Sequence, residues 1–286
     1  MNIAFAAPVP SLADDLPPFE LVDGDPAAGV LILCDHADNR LPAEYGDLGL
    51  SAAEFRRHIA YDPGAAAVTR SLARRLGVPA VLSTFSRLLI DPNRGEDDPT
   101  LIMRLSDGAV VPGNAAVDAS ERARRIVRFH APYHAAIDAA IERALAGDMA
   151  PIVVSVHSFT PVWRGALRPW HAGVLWDRDP RIALPLIAAL REAGDLVVGD
   201  NEPYAGALAN DCMYRHASRR GLAHGLVEIR QDLIGEAAGA EAWAERLARI
   251  VSDLNRLAGV HAIRRYGSNA GGLDDDAGGD GKGATP

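Results

Sequence analysis

Lysine is all but missing from this chain. Lys282 is the only one, so the positive charge is almost wholly arginine. That charge is also outweighed: 29 basic residues face 38 acidic ones, a net charge of -9. Such a balance argues against a polyanion-binding surface, and nucleic acid is not an expected partner. Cysteine is as scarce. Cys34 and Cys212 are the only two, too few for a disulfide framework and spaced like no zinc finger or redox pair. Cys34, inside an apolar run, reads as a small buried hydrophobe. Long apolar runs are absent: Gly29-Val-Leu-Ile-Leu-Cys34 is typical, far short of the roughly 20 residues of a membrane-spanning helix. The opening Met1-Asn-Ile-Ala-Phe-Ala-Ala-Pro8 lacks a basic n-region and an h-region, so no secretory signal is expected and the cytoplasm is the expected location.

What the chain does have is 286 residues at 48% hydrophobic, enough to bury a core of one large domain or two small ones. The segment from Gly267 to Pro286 holds one large apolar residue, Leu273, and reads as a disordered, acidic, glycine-rich tail over 266–286. Residues 1–17 read as a loosely ordered lead-in. A single folded domain is therefore expected over 18–265.

Within it, short β-rich runs alternate with helical patterns. Val30–Cys34, Pro79–Ser83, Ser86–Ile90, Ile152–Val156, Gly173–Trp176, Leu196–Val198 and Gly225–Ile229 read as strands buried on both faces. Gly64–Leu76 reads as a helix with Asp62 as N-cap, Pro63 at the first position and Gly77 closing it. Longer stripes predict helices over 120–145, 182–193 and the segment holding Trp243, Leu247, Ile250 and Leu254. This alternation predicts a three-layer α/β/α sandwich around a mostly parallel or mixed sheet, whose ligands bind beyond the carboxyl ends of strands.

The residues just past those ends are the chemical candidates. His36 follows the first strand, with Asp38 and Asn39 in the same loop, and His157 ends the 152–156 strand. Paired strand-end histidines suit zinc, which takes imidazole and carboxylate ligands and, in catalytic sites, keeps a position open for water. Glu228 and Arg230 alternate along a late strand, placing a carboxylate where a general base belongs, the other reading being a buried ion pair between them. Arg87, Asp91, Asn93 and Arg94 gather after a strand, and Arg164 follows the His157 segment. Clustered arginines in an acidic protein suggest a small anionic ligand bound bidentately. His130 and His134 lie four apart on a helix, yet the glutamate of His-Glu-x-x-His is missing and Pro132 intervenes, so they read as structural or as partners of ligands. Asp62 is either only a cap or a carboxylate aimed into the site.

Taken together, Asp35-His36-Ala-Asp-Asn-Arg-Leu-Pro42, His58-Ile-Ala-Tyr-Asp62-Pro-Gly64-Ala65, Ser86-Arg87 through Asp91-Pro-Asn93-Arg94, Pro132-Tyr133-His134, Val156-His157-Ser158-Phe159, Asn201-Glu-Pro-Tyr204 and Val227-Glu228-Ile-Arg230 resemble the N-formylglutamate amidohydrolase family. More remotely, they are similar to zinc carboxypeptidases and aspartoacylases. The resemblance covers about residues 28 to 255 and implies a zinc-carboxypeptidase-like fold, a hydrolase acting on linear amides and a place in histidine degradation. It also implies zinc held by His36 and His157, Glu228 as general base, Arg87 at the oxyanion, and Asn93, Arg94, Arg164, Tyr204 and Arg230 for a substrate carrying carboxylates. It departs from the carboxypeptidase pattern once: the glutamate of His-x-x-Glu is replaced by Asn39. The third ligand then falls to Asp62, with Asp38 and Asn39 as alternatives. The expected reaction is hydrolysis of N-formyl-L-glutamate, or a similar N-acyl acidic amino acid. A metallopeptidase or deacylase on another N-acyl amino acid, and a metal-free protein that only binds an anionic metabolite, are the alternatives.

Overall fold

Strands and helices are interspersed along the described chain. The computed structural model describes residues 16–147 and 149–270. In order these hold β1 (Phe19–Val22), β2 (Val30–Cys34), α1 (Ala65–Leu76), β3 (Ala80–Ser83), β4 (Leu105–Ser106), β5 (Ala109–Val110), α2 (Pro112–Ala115), α3 (Ala119–Arg125), α4 (Ala131–Leu145), β6 (Ile152–Phe159), β7 (Val162–Trp163), β8 (Ala166–Leu167), β9 (Ala172–Leu175), α5 (Pro180–Glu192), β10 (Val198–Asp200), β11 (His224–Arg230) and α6 (Ala237–Leu254). Seven strands form one sheet in the order β1-β3-β2-β6-β11-β9-β10. Its middle, β3, β2, β6 and β11, is parallel, whereas β1 at one edge and β9 beside β11 run antiparallel. Two small hairpins, β4–β5 and β7–β8, stand apart from it.

The continuous apolar strands are buried on both faces because helices cover both. Along β2, Val30, Ile32 and Cys34 pack with α1, α5 and α6, while Leu31 and Leu33 join the side chains of α4 on the opposite face. This is the expected α/β/α sandwich, and Cys34 is fully buried within it. Leu72 illustrates the energetics: it is 0% exposed in the layer between α1 and α6. We expect Leu72→Ala to lower unfolding free energy by about 2–5 kcal/mol in urea titration, and Arg74→Ala on the exposed face of α1 by about 0.5 kcal/mol or less.

Several details differ from the sequence reading. The expected strand Leu196–Val198 is shifted to Val198–Asp200, and Val197 is exposed. Ser86–Ile90 is a buried turn, not a strand. The Ser86 hydroxyl donates to Ala60 O and accepts from Leu88 N, a local pairing that competes with a ladder. The expected helix over 120–145 is interrupted by a π-turn at Ile126–His130, just before Pro132. Proline offers no N–H and crowds the carbonyl four residues back, and the wider turn relieves this. Strand β1 was not foreseen; it is a half-buried edge that adds to β3. Finally, Asp62 is not the cap of α1. The cap is Gly64, at φ 84, where a Cβ would lie 2.3 Å from Ile234 O.

The expected lead-in and tail lie mostly outside the described residues. Of the tail's first residues, Tyr266 sits under the Arg181 guanidinium and Asn269 N donates to Asp177. Among the described residues, no helix is long and apolar enough to cross a membrane.

Candidate active site

After β2 the chain crosses to β3 on one side, and it returns to β6 on the other. Neighbouring strand ends at such a switch point open a crevice, and His36 stands two residues beyond β2 there. His157 points into the same crevice from β6, with Glu228 of β11 directly beside it in register. Asp62 arrives from the turn before α1, anchored by its backbone N–H to His36 O at 2.9 Å. Because Gly64 caps the helix, the Asp62 carboxylate is free to face the histidines. His36, Asp62 and His157 are all buried and each offers a ligand atom within 4.8 Å of the others'.

The two imidazoles are held in the same way. His157 Nε2 meets Asp35 Oδ2 at 3.0 Å and its Nδ1 meets Asp62 Oδ2 at 2.9 Å. His36 Nε2 meets Asp91 Oδ1 at 2.7 Å, and its Nδ1 lies 3.5 Å from the same Asp62 oxygen. Each Nε2 is thus pinned by an outer carboxylate while each Nδ1 is presented to Asp62, the arrangement that orients metal-ligating histidines. Asp35 is fixed in turn by the Tyr133 and Ser155 hydroxyls, and Asp91 by Asn93 N and Arg87.

Three buried carboxylates, Asp35, Asp62 and Asp91, surround the two imidazoles. Burial pushes the Asp62 carboxyl up, but the His36 and His157 imidazoles outweigh it and hold Asp62 well below the usual range. Burial lowers the His157 pKa, and Asp35 and Asp62 more than reverse that, raising it well above its ordinary value. His36 Nδ1 is buried with no hydrogen-bond partner among the described residues. Two imidazole nitrogens and a carboxylate oxygen, backed by two more carboxylates, fit a divalent ion. Asp38 and Asn39, the alternative third ligands, are engaged elsewhere: Asp38 holds Arg40, and the Asn39 amide donates to Phe55 O.

Glu228 is the carboxylate next to His157 on the neighbouring strand. Burial raises its pKa to about 7, and Oε2 has no hydrogen-bond partner among the described residues. It forms no ion pair with Arg230. That side chain turns outward to Asp232 and to the carbonyls of Arg168 and Trp170. Arg87 binds Asp91 Oδ2 at 2.7 Å and approaches Asp62 Oδ1 to 3.7 Å, a fixed positive charge at the rim of the triangle.

These residues line a cavity of about 400 Å³ that also takes in Asn93, Arg94 and Tyr204. Arg164 and Arg230 are not among its lining residues. Arg164 is exposed, its guanidinium over the Trp163 ring in the β7–β8 hairpin. The arginine beside Tyr204 is Arg168, whose Nη1 donates to the Tyr204 hydroxyl at 3.0 Å. Nothing in the sequence marked Arg168, because only the folded hairpin carries it to Phe159, Trp163 and Tyr204. The partnership of Asp35 with His157 was equally invisible: it crosses from one strand to the next, while Asp35's chain neighbour His36 takes Asp91.

A second buried group, His134, Cys212 and His216, also brings possible ligand atoms within 4.8 Å. Its nitrogens are hydrogen-bonded to one another: His134 Nδ1 pairs with His216 Nε2 and His134 Nε2 with His130 Nε2, while His216 Nδ1 reaches Asp138.

Two measurable consequences follow from this packing. We expect Asp35→Asn to weaken metal affinity by about 10- to 100-fold, read by titration against a competing chelator. Asp211, in the cavity wall, has its pKa raised by burial from 3.8 to about 7. A raised carboxyl leaves stability intact below the unfolded value and removes it as pH climbs toward the folded one. Metal-free Asp211→Asn should therefore match the parent in urea near pH 4 and exceed it near pH 8, on the order of a few kcal/mol.

A buried pair of histidines with a carboxylate, and a glutamate beside them at the switch point of an α/β sandwich, are the parts from which metal-assisted hydrolases are built. The chain belongs to the N-formylglutamate amidohydrolase family, whose model matches residues 28–235. It is accordingly an enzyme that hydrolyses amides. The crystal structure of gene product Atu2144 from Agrobacterium tumefaciens is similar, with 33% identity and a TM-score of 0.78 over 86% of this chain and 98% of that one. That of N-formylglutamate amidohydrolase from Ralstonia eutropha JMP134 shares the fold, at 22% identity and a TM-score of 0.60 over 84% of this chain and 97% of that one. No curated protein matches the chain.

Proposed function

We propose that this enzyme is a metal-dependent amidohydrolase that cleaves N-formyl-L-glutamate, or a closely similar N-acyl amino acid, to formate and the free amino acid. The observation that carries the proposal is the triangle of His36, Asp62 and His157, with both Nδ1 atoms turned to one Asp62 oxygen and Glu228 in register beside His157. Those three side chains would hold the ion, zinc being the metal that best suits them. Bound there, the metal supplies Lewis acidity, polarising the amide carbonyl and making water acidic enough to react near neutral pH.

The remaining work falls to side chains. Glu228 takes a proton from the attacking water and returns it to the departing amine nitrogen. Its buried, unpartnered oxygen suits both transfers, since no other group competes for it. Arg87, locked by Asp91, stabilises negative charge growing on the carbonyl oxygen. Arg94 and Asn93, which line the cavity with Tyr204, hold a substrate carboxylate. Arg164 and Arg230 have no part in this scheme, because neither reaches the cavity.

The test is formate release from N-formyl-L-glutamate by purified protein, before and after chelation and with zinc restored. Turnover that is lost on chelation and returns with zinc supports the proposal. Turnover indifferent to chelation removes the metal from it, and bound metal without turnover removes this substrate.

A further inference from the structure

Asp211 is a carboxylate in the cavity wall with no cation bound to it. It is buried, and it lines the cavity together with Asn93, Arg94 and Glu228. Its one side-chain hydrogen bond among the described residues is Oδ1 accepting from Tyr214 N at 2.7 Å, the bond of a helix N-cap. Capping engages a single oxygen, and Oδ2 has no partner among the described residues. Arg94 pairs with Asp98 instead. Burial accordingly raises the Asp211 carboxyl to about 7, as it does for a charge that lacks a counter-ion or donor.

The neighbours of Asp211 fix where this acceptor stands. Cys212 N donates to Asn93 Oδ1 at 3.0 Å, and Asn210 Nδ2 donates to Asp97 Oδ1 at 3.1 Å. Residues 210–212 are thus strapped to the turn that carries Asn93 and Arg94. The positive charges that act on Asp211 through space are Arg94 and His157, one at the proposed carboxylate anchor and the other at the proposed metal site. In an N-formyl amino acid the nitrogen is bonded both to the Cα that bears the carboxylate and to the formyl carbon. With the carboxylate at Arg94 and the formyl group at the histidines, that nitrogen falls between the two groups whose charges Asp211 feels.

The other carboxylates of the cavity are engaged. Asp62 faces the histidines, Asp107 holds Arg57, Asp177 accepts from Asn269 N, and Glu228 is assigned to the water. We infer that Asp211 binds the substrate nitrogen, accepting the amide N–H before cleavage and the ammonium group of the free amino acid after it. Ionised or protonated, the carboxyl offers the N–H an acceptor oxygen, and the ammonium favours the ionised form. Carboxylate, nitrogen and carbonyl are then each read by a separate part of the site. The inference rests on the amidohydrolase reading proposed above.

The experiment is calorimetric titration of the zinc-loaded full chain with L-glutamate and with glutarate, which keeps both carboxylates and lacks the ammonium group. The parent should bind glutamate at least about tenfold more tightly than glutarate. Asp211→Asn keeps a capping oxygen but removes the charge, and should weaken glutamate about 10- to 100-fold while glutarate stays within about threefold. A residue that only caps the helix shifts both ligands alike or neither. Kinetics of formate release supply a second reading: KM for N-formyl-L-glutamate should rise about tenfold in the variant with a smaller change in kcat, as for a contact made equally in ground and transition states. Equal affinity of the parent for glutamate and glutarate overturns the inference without recourse to a variant. A variant that shifts both ligands alike, or neither, also overturns it, and turnover by the parent then leaves the amidohydrolase reading standing. A zinc-loaded parent that neither hydrolyses N-formyl-L-glutamate nor binds either ligand defeats that reading and the inference with it.

Discussion

Glu228→Gln is expected to lower kcat by about 100- to 10,000-fold while metal content and KM stay close to those of the parent enzyme. Glutamine keeps the shape and one acceptor oxygen but accepts no proton at neutral pH, so both proton transfers assigned to Glu228 are lost together. Few contacts change with it, because Oε2 has no hydrogen-bond partner among the described residues. Stability should move the other way. Burial raises the Glu228 pKa from 4.5 to about 7 in the metal-free chain, so ionising it costs folding energy as pH rises through that window. Metal-free Glu228→Gln should therefore equal the parent near pH 4 and be more stable near pH 8, the exchange of stability for activity common at functional carboxylates. Steady-state kinetics, metal analysis and urea titration at the two pH values check the three statements. A variant that keeps kcat within a few-fold removes Glu228 from the role of base.

The contrast between what the sequence revealed and what it hid follows from the range of the interactions concerned. Strands such as Ile152–Val156, which the structure extends to Phe159 so that His157 lies inside it, are legible because burial on both faces writes itself into consecutive residues. The strand-end positions of His36, His157 and Glu228 follow from the same pattern. The Ser86–Ile90 segment misled because a buried turn and a buried strand share a composition, and only the Ser86 hydroxyl, bonded to Ala60 O, separates them. Asp62 was ambiguous for a related reason. A cap and a ligand are both acidic residues before a helix, and it is the close approach of Ile234 O to Gly64 that moves the cap onward. Least legible were the pairings across strands and loops, His157 with Asp35, His36 with Asp91, and Arg168 with Tyr204. These partners lie far apart in the chain, and no local periodicity records them.

The proposed third metal ligand is where local pattern and tertiary geometry part most clearly, and substitution there should have the second large effect. Asp62→Asn is expected to reduce metal affinity by more than the 10- to 100-fold that an outer carboxylate controls, and to reduce turnover at a fixed metal concentration at least 100-fold. An amide is a weak ligand without charge, and the same oxygen, Oδ2, faces both Nδ1 atoms and accepts from Ser158 N. Asp38→Asn should leave affinity within a few-fold, since that carboxylate is spent on Arg40. Asn39→Ala should cost about 1 kcal/mol of stability through its lost bond to Phe55 O, again with metal retained. Measured together by competition with a chelator, the three variants separate the possibilities. Loss of metal in Asp62→Asn alone assigns the ligand to the turn before α1, and loss in Asp38→Asn or Asn39→Ala returns it to the loop that also carries His36. The former outcome means that this site takes its third ligand from a separate turn, some 26 residues beyond His36. That turn is fixed by the Asp62 N–H to His36 O bond and by the tight passage at Gly64, so Gly64→Ala, which touches no ligand, should weaken metal binding as well.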